Sequence, residues 1–116
     1  YSLLFSWSKI NRSIISCIDR YVEAWDPYTL TTIHSFDLMP AAVVDVKVVD
    51  HLNLITIACK HQTIYLYNSI TYELHYHFTD SSNSSPLNGL NRLLLSPRSK
   101  PGIYIAGYAV SYWALE

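Results

Sequence analysis

Glycine is scarce. The 116 residues contain only three, Gly89, Gly102 and Gly107. A glycine-rich phosphate loop needs several, closely spaced, so nucleotide binding of that kind is excluded. Every turn before Gly89 must also be made by other residues. Charge is low as well: 15% of residues are charged and the net charge is −1, against about 25% charged in an average soluble domain. No basic cluster is present, so no surface suited to tracking nucleic-acid phosphates is expected. The apolar stretches are broken by Asp45, Lys47, Asp50 and Lys60. None reaches the roughly 18 uninterrupted apolar residues of a membrane-spanning helix, and no charged stretch leads into an apolar one as in a signal peptide. Neither a membrane role nor secretion is expected.

Catalytic signatures are missing too. There is no Ser-His-Asp order and no His-Glu pair at helical metal spacing. Asp37, Asp45, Asp50 and Asp80 are scattered over loops and strand ends, and read as solvated turn residues. Enzyme activity is not expected, nor is a cofactor or a metal. The nearest approach to a metal site is His75-Tyr76-His77 with Glu73. An i, i+2 histidine pair shares one strand face, but an outermost strand leaves such side chains solvated.

What the chain has is strand-forming residues. Half of it is hydrophobic, with ten Tyr, three Trp and three Phe among many Ile, Val and Thr. Alternation and turn clusters mark strands at about 2–7, 13–18, 21–26, 30–36, 43–49, 54–59, 63–68, 72–78, 90–96, 102–107 and 109–115. "LNGLNRLLL" also fits a helical period, but Asn88-Gly89 before it and Pro97 after it favour a strand. Runs such as "LITIAC" are apolar at nearly every position, which requires cover on both faces of a sheet.

The chain also repeats. A shift of 42 places Cys17 on Cys59, Val22 on Ile64, Trp25 on Tyr67, Asp26 on Asn68 and Phe36 on Phe78. A third copy, at a shift of 46, sets Trp113 opposite Tyr67. A period of about 40–45 residues with four strands per unit is the spacing of propeller blades. On Trp25-Asp26, the reduced pair Tyr67-Asn68, Trp113, and Asp19 in the turn of "IDRYVEAW", the chain resembles a divergent WD-repeat β-propeller. The Gly-His pair typical of that family is absent before Val43 and before Leu90. Its buried hydrogen-bond set is therefore expected to be broken, with apolar packing in its place.

The resemblance implies an all-β fold of consecutive four-stranded antiparallel blades. The first spans 1–36, the second 43–78 and a partial third 90–116, with connectors 37–42 and 79–89. That is about two and two-thirds blades, fewer than the roughly four to eight of a closed ring. The remaining blades are expected from the same longer chain or from a partner. Val22/Ala24, Ile64/Leu66 and Val110/Tyr112 are expected on one face of the third strands. Trp25, Tyr67 and Trp113 are expected on the other, directed at the next blade. Cys17 and Cys59, read as equivalent positions on adjacent blades, would sit too far apart for a disulfide. They are expected to be buried, reduced thiols of a cytoplasmic or nuclear protein.

The same resemblance implies a non-enzymatic scaffold that holds partner proteins on its loops, within a multiprotein complex. The candidate contact residues are Arg20, Asp37, Met39, Lys60, His61, Asp80, Asn83 and Tyr108. Two other readings stay open: an architectural subunit of a large assembly, and a segment of a propeller enzyme whose active site lies elsewhere. "TDSSNSSPLNG" reads as an exposed connector, with Ser85-Pro86 a possible phosphorylation position. The glycosylation sequons at Asn11 and Asn83 are discounted without a secretory signal.

Overall fold

The computed structural model describes residues 3–79, 92–95, 102–106 and 110–114. Eleven strands form within them, in the order the sequence expects. The first sheet holds β1 (Leu3–Ser8), β2 (Ser13–Ile18), β3 (Tyr21–Trp25) and β4 (Thr32–Ser35). The second holds β5 (Val43–Val49), β6 (Leu54–Cys59), β7 (Thr63–Asn68) and β8 (Leu74–Thr79). The third holds β9 (Arg92–Leu95), β10 (Gly102–Ala106) and β11 (Val110–Ala114). Every pairing is antiparallel between neighbours in the chain. The strand reading of "LNGLNRLLL" holds over Arg92–Leu95.

The turns solve the shortage of glycine in a repeating way. Among the described residues, seven other than glycine take positive φ, and six of them fall in matching pairs. Arg12 and Asn53 close the hairpins β1–β2 and β5–β6, and each donates its backbone N–H three residues back, to Lys9 O and Asp50 O. Asp19 and His61 occupy the next turns, and Leu30 and Tyr72 the turns after β3 and β7. The last pair explains the Trp-Asp signature. Asp26 Oδ1 accepts the N–H groups of Tyr28 and Thr29, and Asn68 Oδ1 accepts those of Ile70 and Thr71. Leu30 N–H then closes onto Asp26 O, and Tyr72 N–H onto Asn68 O. The Asp/Asn side chain thus organises its own turn, and Asp and Asn serve equally because only one oxygen is used.

Left-handed backbone costs a residue with a Cβ about 1–2 kcal/mol. Leu30 is 71% exposed, so its side chain gives little packing in return. Leu30→Gly should therefore leave the chain about 1 kcal/mol more stable than Leu30→Ala, which keeps the strain. Urea-denaturation midpoints of the two variants measure the difference.

The core lies between the sheets. Ile15, Cys17, Val22, Ala24 and Phe36 of the first sheet pack against Val46, Val48, Ile55, Ile57 and Tyr67 of the second. Beyond the second sheet, Val49, Ala58 and Ile64 pack against Leu93 of the third. The expected direction of the third strands is therefore reversed. Tyr67 points back at the preceding sheet, edge-on to Phe36 with ring centroids 5.0 Å apart. Val22/Ala24 and Ile64 face the following one. Alternation assigns the two sets to opposite faces; which face meets which neighbour depends on how the connectors turn.

The repeat also changes length within a unit. Ser8 pairs with Ser13 and Val49 with Leu54, so the first two strands of each unit match at a shift of 41. Ile18 pairs with Tyr21 across a two-residue turn, whereas Cys59 pairs with Thr63 across three residues. The extra residue, with His61 and Gln62 both at positive φ, restores 42 from β3 and β7 onward. Cys17 therefore matches Ala58, not Cys59. Both cysteines instead line the same interface from opposite sides, free and fully buried.

Burial pushes both thiols up from 9.0 to about 12, and at Cys17 the nearby Cys59 and Asp45 add to it. The folded state holds them protonated. Their contribution to stability is intact below pH 9.0 and is lost as pH rises from there toward 12. Urea midpoints should fall between pH 8 and about pH 10.5, which lies above the ordinary thiol value of 9.0 and below the folded value of about 12, and a Cys17→Ala/Cys59→Ala double variant should show a smaller fall.

Trp25 retains one polar contact of the kind the family resemblance puts in doubt: its Nε1–H donates to Ser16 Oγ at 2.8 Å. In the second sheet Ile57 stands where Ser16 does, so Tyr67 has no such partner there and is held by its ring contacts.

Candidate functional site

The connector 37–42 is stitched to both sheets by main-chain bonds. Met39 N–H donates to Arg20 O at 3.0 Å, and Arg20 Nε–H donates back to Met39 O at 2.7 Å. Val43 N–H reaches Asp19 O at 2.7 Å, and Lys60 N–H reaches Ala42 O at 2.8 Å. The β2–β3 turn, the connector and the β6–β7 turn thus form one continuous rim. The backbone groups in these bonds are used internally, and the outward side chains form the contact surface.

Arg20, Asp37, Lys60 and His61 lie on this rim with exposed side chains. Met39 departs from the sequence expectation. It is 1% exposed and belongs to the core between the first two sheets, because the connector turns this side chain inward. Leu38 is the exposed neighbour, and together with the exposed Pro40 it supplies an apolar element that the sequence reading missed. Leu38, next to the charged Asp37 in a Pro-containing connector, was the available signal. Asp80, Asn83 and Tyr108 lie outside the described residues, as do Ser85-Pro86 and the sequon at Asn83.

The rim touches the core electrostatically. Burial, with the nearby Asp37 carboxylate as a second contributor, pushes the Tyr67 hydroxyl up to about 12. Tyr67 is therefore a neutral donor in any contact made there. Among the described residues no three His, Cys, Asp or Glu side chains gather as a metal group. His77 stacks on Tyr65 with centroids 5.4 Å apart, on the exposed outer strand β8 with His75. Asp45 is not a solvated turn residue. It is 4% exposed, sits at a break in register of β5, and accepts the Leu93 N–H at 2.7 Å.

Antiparallel sheets of up to four strands, stacked face to face in chain order at this repeat length, have the fold of consecutive β-propeller blades. The chain is similar in structure to Saccharomyces cerevisiae Sqt1, with a TM-score of 0.71 and 16% identity over 89% of this chain and 28% of that one. A chain of the mitotic checkpoint complex matches with a TM-score of 0.69 and 10% identity, over 90% of this chain and 30% of that one. The chain thus spans less than a third of either solved chain. No protein-family model matches the sequence, and no curated protein matches it.

Proposed function

We propose that the chain is part of a larger propeller that serves as a non-enzymatic scaffold, binding partner proteins within a multiprotein complex of the cytoplasm or nucleus. The supporting observation is the rim: a connector locked to two turns, carrying Arg20, Asp37, Leu38, Lys60 and His61 outward. Cations, a carboxylate and an apolar side chain held on fixed backbone suit a protein or peptide surface, where shape and mixed polarity give specificity. Nucleic acid would ask for a basic stripe, and the net charge of −1 gives none.

The test is partner recovery on tagged protein from cell extract, with recovered proteins identified by mass spectrometry. Lys60→Ala combined with His61→Gly, which suits the left-handed backbone at that position, should cut recovery of specific partners about tenfold or more, the loss of one contact of roughly 1.4 kcal/mol. Arg20→Ala should do the same. Unchanged recovery with all three would remove the rim as the binding surface.

A further inference from the structure

The outer face of the first sheet is apolar and open. Leu3, Phe5, Trp7, Ile18 and Tyr21 are exposed on it, Phe5 at 62% and Trp7 at 45%. A groove runs between Phe5, Ser6, Trp7 and Ile14. Cross-strand pairing sets Trp7 beside Ile14, Ile14 beside Trp25, and Phe5 beside Ser16, so these side chains share one surface.

The second sheet shows what such a surface is for. At a shift of 41, Phe5 and Trp7 fall on Val46 and Val48, and Ile14 on Ile55. Trp25 falls on Tyr67, at 42. All four equivalents are buried against the first sheet. The inter-sheet contact also has a polar component. Val48 N–H, on the innermost strand, donates to Ser6 Oγ of the preceding sheet at 3.2 Å. Leu93 N–H of β9 likewise donates to Asp45 Oδ2 of the sheet before it at 2.7 Å. An innermost strand is a sheet edge, and unpaired edge amides need acceptors. Here a side chain of the preceding sheet supplies one each time. The hairpins β1–β2 and β5–β6 share loop length and register, so the Trp7 N–H leaves its edge as the Val48 N–H does.

We propose that this open face receives a further four-stranded sheet of the same polypeptide, lying outside these 116 residues, and that this sheet has two defined features. It offers a hydroxyl or carboxylate oxygen to the Trp7 amide, as Ser6 and Asp45 do for their neighbours. It also presents small side chains to Phe5 and Trp7, because these rings occupy the space that Val46 and Val48 leave to Leu4 and Ile15 in the observed interface. The inference rests on the reading that the chain belongs to a larger propeller. The length of the solved chains it matches, more than three times its own span, leaves room for the additional sheet.

Hydrogen exchange in the longest polypeptide that carries these residues tests it, with no partner protein present. The Trp7 amide should exchange within about tenfold of the Val48 amide, both being held by an inter-sheet acceptor. Phe5→Asp should lower the denaturation midpoint, and Phe5→Leu should leave it nearly unchanged. A Trp7 amide that exchanges about 100-fold faster than Val48, as an open edge does, overturns the proposal. Protection that disappears on dilution overturns it in favour of a second copy on this face. Neither result depends on the rim, so loss of partner recovery and failure of this interface are separate observations.

Discussion

Tyr67→Ala should destabilise the chain by about 3–5 kcal/mol, the range for removing a large buried aromatic. The side chain is 6% exposed and meets Phe36 edge-on and Tyr65 in a stack at 6.3 Å. Its removal opens a cavity between two rigid sheets that cannot close around it. In the 116 residues alone, where the outer face of the first sheet is open, Trp25→Ala, at the equivalent position one unit earlier, should cost much less although Trp is larger. Trp25 is only half-buried, and its Nε1–Ser16 contact is solvent-accessible in part. A difference of about 2 kcal/mol or more between the variants is expected from burial alone. Tyr67→Phe, which keeps the ring, separates packing from the hydroxyl and should cost below about 1.5 kcal/mol. Chemical-denaturation curves with matched slopes give all three values. Equal losses for Trp25→Ala and Tyr67→Ala would mean that the inter-sheet contact is not what makes Tyr67 important.

That contrast shows where sequence reasoning succeeded and where it stopped. Strands were legible because Val, Ile and Tyr fall in short runs between turn clusters, and a strand's period of two is local. The equivalence of Trp25 and Tyr67 was legible because each precedes an Asp or Asn that folds its own turn. The direction of those rings was not legible. It depends on which neighbour each face meets, a property of connectors such as 37–42 and not of the strands. The register of the cysteines failed for a different reason. A constant shift of 42 hides the extra residue in the turn at Lys60-His61-Gln62, and no glycine marks it. Met39 and Asp45 failed together: composition places Met in a Pro-containing connector and Asp in a strand, and only tertiary packing buries both. The rim was legible as two turns and a connector, but the reciprocal Arg20–Met39 bonds that join them are long-range.

Asp45 carries the other large expected effect. Its Oδ1 accepts the N–H of Val46 at 2.9 Å, and its Oδ2 accepts the N–H of Leu93 in the next sheet at 2.7 Å. A carboxylate suits this place because both its oxygens accept and neither donates. Asp45→Ala leaves two buried amides without acceptors, and each hydrogen bond to a charged group is worth about 1.5–3 kcal/mol. A total loss of about 3 kcal/mol or more is expected. Asp45→Asn is nearly isosteric but should not restore stability, since its amide nitrogen must face one of the two N–H donors. It should cost about 1–3 kcal/mol, the penalty of one buried unsatisfied group. Exchange at single amides distinguishes a local clasp from a general loss of fold. In both variants the Leu93 amide should become the most accelerated, while Ile55 and Ile57, buried on the opposite face of the second sheet, should change only with global stability. An Asn variant as stable as the parent, with Leu93 still protected, would show that Asp45 is not what ties the third sheet to the second. The expected result makes one side chain, set at the register break of β5, the polar fastener between the second and third sheets, as Ser6 Oγ is for the Val48 N–H between the first and second.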